Sequence, residues 1–155
     1  MATTRGCSVP DDLLYHVSNN QWLRDRGDGT YELGMTDVAQ SMAGSVIHCR
    51  IKKAGKGVRG GKSLATVESG KWVGPVKAPF DCKVLEKNEA VEQDPSLLNK
   101  SPYRDGWLVR IEPIDPEAAA ETLVRGDEAV KGIEAYMDDR EFEGCIHCEG
   151  FDDGQ

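Results

Sequence analysis

The sequence predicts a mainly β protein with a few short helices, built as a small sandwich or barrel. Three observations lead there. Short alternating apolar stretches are separated by glycine- and proline-containing turns through residue 113. The 17 glycines and 7 prolines supply that punctuation in a chain of 155 residues, and no apolar run is long. After Pro113 the pattern changes to acid- and alanine-rich segments that begin with helix-capping residues. A chain of this length holds one domain with a real core and is too short for two comfortable ones. The expected organisation is therefore a β domain over 1–113 and an acidic helical extension with a cysteine-containing tail over 114–155, packed on it or trailing from it.

Leu13–Val17 reads as the first strand. Gln21–Arg26 and Thr30–Met35 follow as a hairpin, with Gly27-Asp28-Gly29 between them for the positive φ that tight turns demand. Thr36 has the side chain of an N-cap and Asp37 suits a first helical turn, so a short helix runs to about Met42. Ser45–Lys52 alternates as a strand, and Ala54–Gly61 is a glycine-dense turn. Pro75 and Pro79 hold 75–79 extended, since each disfavours helix at the residue before it. Asp81–Lys87 is the next strand. Asp94-Pro95 starts a single helical turn, as N-cap and first helical position. Gly106–Pro113 is the last strand. Asp115-Pro116 then caps a helix over Ala118–Val124 that ends at Gly126, and Asp127 caps a second over about 128–142. Ala129, Ile133, Tyr136 and Met137 fall on one face of that second helix, spaced to pack on the β domain.

Several functions are disfavoured by what the residues lack. No apolar run could cross a membrane as a helix, and Met1–Cys7 has no apolar leader. Five cysteines, an odd number, then point to free thiols in a reducing cytoplasm. The net charge of −8 is uneven: residues 1–113 carry 16 Lys/Arg against 14 Asp/Glu, and residues 114–155 carry 3 against 13. That acidic end argues against nucleic-acid binding and reads as a solvated face or a surface for a basic partner protein. Gly57–Ser63 does not match a phosphate-binding loop, because its glycines are too close together and a strand follows. His16, His48 and His147 are scattered, so no catalytic set assembles. Cys145-Ile-His-Cys148 leaves three readings open: idle exposed thiols, a reversible dithiol, or part of an interfacial metal site. Cys82 lies on a strand and reads as buried packing.

Residues 65–73 have another character. They read as strand, tight turn and strand, with Gly70 and Lys71 as the central pair. A type II′ turn would place Gly70 at positive φ and aim Lys71 away from the body between Ser69 and Trp72. Exposed lysines in turns are common, so the turn alone does not assign a role.

The surrounding motifs do. Val67-Glu68-Ser69-Gly70-Lys71, Ala78-Pro79, the stretch from Asn88 to Tyr103 and Gly106-Trp107-Leu108 resemble the H protein of the glycine cleavage system. Trp22-Leu-Arg, Gly29-Thr-Tyr31, Gly34-Met-Thr36 and Ala39-Gln40 resemble the same family in the same order. The match covers roughly residues 10–113, and the helical segment behind it fits too. The resemblance implies a lipoyl-type barrel-sandwich hybrid of two small antiparallel sheets with short helices over 1–113, followed by the helical segment. It implies covalent lipoate on Lys71, a carrier role without catalysis, and Glu68, Ser69 and Gly70 as the motif around the attachment site. Glu68 and Ser69 are then either read by the attaching lipoate-protein ligase or are ordinary strand polarity.

The chain departs from the family near that arm. Gly70 stands for the usual Val, Trp72 for the usual Ala, and Val73–Lys77 lacks the usual small polar residues. Cys49–Lys52 differs from the usual acidic-apolar strand end, and a tail with Cys145 and Cys148 extends beyond the usual terminus. These departures resemble the H-like lipoate-binding proteins that serve heterodisulfide-reductase-like complexes in bacterial sulfur oxidation. That subgroup implies sulfur-bound cargo, with a heterodisulfide-reductase-like complex and a dihydrolipoamide dehydrogenase-type enzyme as partners. A glycine-cleavage carrier of the aminomethyl group is the second reading. An unmodified redox or adaptor protein working through Cys145 and Cys148 is the third.

Overall fold

The computed structural model describes residues 2–154. The strands are β1 (Ala2–Thr4), β2 (Cys7–Val9), β3 (Leu14–His16), β4 (Gln21–Asp25), β5 (Tyr31–Met35), β6 (Val46–Ile51), β7 (Gly57–Val58), β8 (Ser63–Ser69), β9 (Val73–Lys77), β10 (Cys82–Lys87) and β11 (Val109–Pro113). The α-helices are α1 (Asp37–Ala43), α2 (Glu89–Gln93), α3 (Leu97–Lys100), α4 (Pro116–Glu121) and α5 (Gly126–Asp139). All strand pairings are antiparallel. One sheet has the order β3-β4-β5-β11-β10-β7, a second β6-β8-β9, and β1 and β2 form a separate hairpin. This is the barrel-sandwich hybrid that the sequence predicts, mainly β with short helices.

Alternation along β4 explains how the layers are held. Trp22 and Leu23 are both fully buried, and consecutive strand residues face opposite sides of a sheet. Leu23 joins Leu33, Leu64, Val67, Val84 and Ile111 between the two sheets. Trp22 joins Cys7, Leu13, Tyr15, Tyr103, Ile133 and Met137 on the other face, under β1, β2 and α5. Its indole N–H donates to the Pro102 carbonyl at 2.8 Å, and Gly34 on β5 leaves room for the ring. A Cβ there would stand 2.5 Å from the indole. The buried stripe of α5, Ala129, Ile133 and Met137, repeats every fourth residue and closes this second core. Burying Ile133 and Met137 contributes roughly 1.5–3 kcal/mol each.

Predicted caps are found where local chemistry decides them. Thr36 Oγ1 accepts from the Ala39 N–H at the start of α1, and Asp115 accepts from the Ala118 N–H at the start of α4. Other boundaries move. Asp94 caps no helix; its carboxylate accepts from Ser96, and α3 begins at Leu97. α5 starts at Gly126, so Asp127 lies in the first turn, where its charge suits the helix dipole. Elements beyond those expected include the short strand β7, inside the glycine-dense turn, and those of two further segments. The hairpin β1–β2 turns through Arg5 and Gly6, both at positive φ (50° and 76°), and α2 precedes the predicted helical turn.

The expectation of free thiols fails at two of the five cysteines. Cys145 forms a disulfide with Cys7, 138 residues away, with Cα atoms 5.0 Å apart, so neither is a free thiol and Cys145 is not paired with Cys148. The spacing of Cys145 and Cys148 drew attention to the wrong partner, because packing of α5 against β2 is what brings Cys7 to the tail. Cys49, Cys82 and Cys148 are free; the first two are buried and Cys148 is exposed.

Candidate functional site

Strands β8 and β9 pair from Ser63↔Lys77 to Glu68↔Val73, and the connection between them carries Lys71. The last bond before the tip runs from the Ser69 N–H to the Trp72 carbonyl, 2.7 Å. Gly70, Lys71 and Trp72 are all exposed.

The turn is not the type II′ form expected. Gly70 is absent from the glycines at positive φ, and a Cβ on it would meet open space. The reason lies in Ser69, which is buried. Its hydroxyl accepts from the Lys71 N–H at 3.3 Å and lies 3.4 Å from the Trp72 carbonyl, so a serine-type turn replaces the glycine-dependent one. Ser69 therefore shapes the tip from inside rather than displaying its hydroxyl. Glu68 is half-buried on β8 and sits opposite His48 of β6.

Lys71 is exposed, yet it does not stand straight out. Its aliphatic stem lies over Gly44, the C-cap of α1, where an added Cβ would come 2.9 Å from Cε. Gly44 has φ of 80° and so serves both the helix end and this approach. The indole of Trp72 folds back over Gly74, where a Cβ would fall 2.2 Å from the ring. One face of Trp72 then borders a cavity of about 250 Å³ between β9, α1 and α5. Gln21, Met35, Ala39, Met42 and Tyr136 also line it, and no carboxylate does among the described residues.

Asn19, Asn20 and Gln21 supply the polar part of the lining, and Gln21 is the most buried of the three. The side chain is fully buried and its Nε2 donates to the Lys77 carbonyl at 2.5 Å. Its Oε1 is buried with no hydrogen-bond partner, a state that costs about 1–3 kcal/mol unless a donor arrives. Sequence reasoning missed Gln21, since a glutamine in an alternating strand carries no signal of its own. An exposed amine beside a cavity lined mostly by apolar side chains fits an acyl arm attached at Lys71.

The remaining candidates do not join this site. Burial pushes the Cys49 thiol up to about 12, with Glu92 adding to it, and Cys82 up to about 11, with Asp81 adding to it. Both are inert thiols at neutral pH. His16 caps a turn of 3-10 helix through its Nδ1, and burial lowers its pKa below the ordinary value. His147 bonds the buried Asp37 carboxylate at 2.7 Å and stacks on Phe151. Among the described residues no cluster of three His, Cys, Asp or Glu could hold a metal ion, and no helix is long and apolar enough to cross a membrane.

Comparison with known proteins places the chain among relatives of one family. Residues 14–136 match the family described as glycine cleavage H-protein. Glycine cleavage system H protein 2 of Aquifex aeolicus is 43% identical over 141 residues, covering 91% of this chain and 87% of that protein. Probable glycine cleavage system H protein 2 of Sulfurisphaera tokodaii is 42% identical over 135 residues, covering 86% and 90%. The crystal structure of a glycine cleavage system H protein from Mycobacterium marinum superposes with a TM-score of 0.67 at 27% identity, covering 79% of this chain and 97% of that one.

Proposed function

The chain belongs to the glycine cleavage H-protein family, whose members are non-catalytic carriers with lipoate attached covalently to a lysine, and from that premise we propose that Lys71 is the attachment site. The support is its position: the amine sits at the tip of a hairpin, exposed, on a stem that rests against Gly44. Acylation would remove the lysine charge, and among the described residues the Lys71 side chain makes no hydrogen bond or ion pair that acylation would break. A lipoate-protein ligase would recognise the exposed tip, with half-buried Glu68 beside it, while Ser69 keeps the tip in shape. When bound, the dithiolane supplies a two-electron dithiol/disulfide couple and a nucleophilic sulfur. The protein supplies position, because a tethered group meets each partner at high local concentration.

For the cargo we infer a sulfur-bound group, carried between a heterodisulfide-reductase-like complex and a dihydrolipoamide dehydrogenase-type enzyme. The observation that carries this reading is the lining of the cavity that Trp72, next to Lys71, borders: two methionines, a tryptophan and the amides of Asn19, Asn20 and Gln21, with no carboxylate among the described residues to stabilise an amine that could take up a proton. A glycine-cleavage role is the competing reading, favoured by the names of the relatives, in which the carried group is aminomethyl. The experiment is to load the protein with lipoate and to offer its reduced dithiol form a sulfane-sulfur donor and its oxidised disulfide form glycine with the decarboxylating enzyme, because aminomethyl transfer breaks the S–S bond and uses it as the two-electron acceptor. A stable sulfur adduct on the Lys71 peptide is expected. Efficient aminomethyl loading with no sulfur adduct would overturn the sulfur reading and leave the carrier reading standing.

A further inference from the structure

The Cys7–Cys145 disulfide lies outside the carrier site, yet its surroundings connect the two. Gly144 passes so close to the turn of β1–β2 that a Cβ on it would meet the Arg5 carbonyl at 2.6 Å. The Cys145 N–H donates to that same carbonyl at 3.1 Å, and Arg5 donates to the Phe142 carbonyl at 2.8 Å. Beyond the disulfide the tail crosses α1. The Ile146 N–H and carbonyl both lie 3.1 Å from the Ser41 hydroxyl, and Gln40 Nε2 donates to the Ile146 carbonyl at 3.1 Å. His147 then reaches Asp37, and the Asp152 N–H donates to the Lys100 carbonyl at 2.6 Å. Residues 140–154 hold no helix or strand, so the disulfide and these side-chain and backbone hydrogen bonds are what seat them.

Ser41 and Gly44 are three residues apart on α1 and its cap, about 4.5 Å along a helix axis. The tail thus rests on the same short helix whose end carries the stem of Lys71. Cys7 is fully buried, whereas Cys145 is part-exposed, and access decides which sulfur of a disulfide is attacked.

We propose that Cys7–Cys145 is a dithiol-exchange site, attacked at Cys145, whose opening releases the tail from α1 beside Lys71. The substrate class is a dithiol. One of its thiolates attacks Cys145 Sγ, forming a mixed disulfide; the Cys7–Cys145 bond breaks and Cys7 leaves as a thiolate that takes up a proton. The second thiolate of the dithiol attacks its own sulfur in the mixed disulfide, closing the ring and expelling Cys145, which takes up the second proton. The dithiol loses two electrons and two protons, and the protein disulfide gains both. The carrier reading supplies a dithiol on Lys71, whose stem lies against the cap of the helix on which the tail rests, and only that part of the inference rests on that reading. Cys148, exposed and unpaired, is a bystander.

The test uses the full-length Lys71→Arg protein, purified without reductant, with free dihydrolipoamide or glutathione at equal thiol concentration. Mass mapping with a thiol-alkylating reagent should find Cys7 and Cys145 blocked before treatment and alkylated after it. Opening should be about tenfold faster with the dithiol, since its second thiol acts at high effective concentration. Hydrogen exchange at Cys145, Ile146 and Asp152 should speed up on opening while β8 and β9 keep their protection. Cys148→Ser should open at the same rate. Free Cys7 and Cys145 in the untreated protein, an opening that leaves tail exchange unchanged, or loss of reaction in Cys148→Ser would each overturn the proposal. With the lipoylated and reduced wild type, opening at a rate independent of protein concentration is expected. Opening in the free-probe arm but not here would remove only the link to Lys71, and failure of lipoylation would be seen separately by mass.

Discussion

The tip at 70–72 and the tail at 144–154 both lack regular structure, but they are held in opposite ways. The tip hangs on two regular strands, and its three residues are left to solvent. The tail has no strands and is tied by a disulfide, by Ser41, Gln40 and Asp37, and by a backbone bond to Lys100. The difference teaches that irregular backbone says little about freedom; what matters is where its polar groups and side chains find partners. A lysine meant to be acylated by another enzyme needs the first arrangement.

Substitutions can break or sharpen that contrast. The largest effect is expected from Cys145→Ser, which removes a cross-link closing most of the chain and should lower unfolding free energy by about 2–4 kcal/mol in denaturant titration. The same variant should leave acylation of Lys71 unchanged. Gly144→Ala comes next, at about 1–3 kcal/mol, because its Cβ would strike backbone rather than a side chain that can swing away. Gly70→Ala should do the reverse at the tip. With no positive φ and open space around it, alanine should stabilise by about 0.4–1 kcal/mol through the unfolded chain. A destabilised Gly70→Ala would show that the tip is more constrained than its backbone indicates.

Acid provides a further probe of the sheet behind the tip. Burial alone would raise the Glu92 pKa, but Lys87 and the Ile51 N–H, at 2.7 and 2.9 Å, outweigh it and hold the carboxyl below its ordinary value. A depressed folded-state pKa gives stability that is present above the ordinary carboxylate range and is lost as pH falls through the folded value. Glu92→Gln should therefore lower stability by about 1 kcal/mol at neutral pH and flatten its fall in acid, read from thermal melts across pH.

Where the fold was legible, a local rule carried it. The β4–β5 hairpin followed from its glycines, and the caps at Thr36 and Asp115 from their oxygen-bearing side chains. The β1–β2 hairpin was not legible, because Arg5 at positive φ lacks the usual Asn, Asp or Gly. Gly70 misled, since glycine permits a left-handed turn without requiring one and the Ser69 hydroxyl settled the geometry. The Lys71 tip could be read from pattern and resemblance together. Gln21 and Cys7 could not, as their importance comes from residues distant in sequence: Lys77 for one and Cys145 for the other.

The central claim is that the amine at this hairpin tip is the one another enzyme acylates. Incubation of the purified protein with lipoate, ATP and a lipoate-protein ligase, followed by peptide mapping, tests it most directly. A single lipoyl group on the peptide containing Lys71, and none on Lys71→Arg, is the predicted result. Modification at a different lysine, or a Lys71→Arg protein still carrying the group, would contradict it.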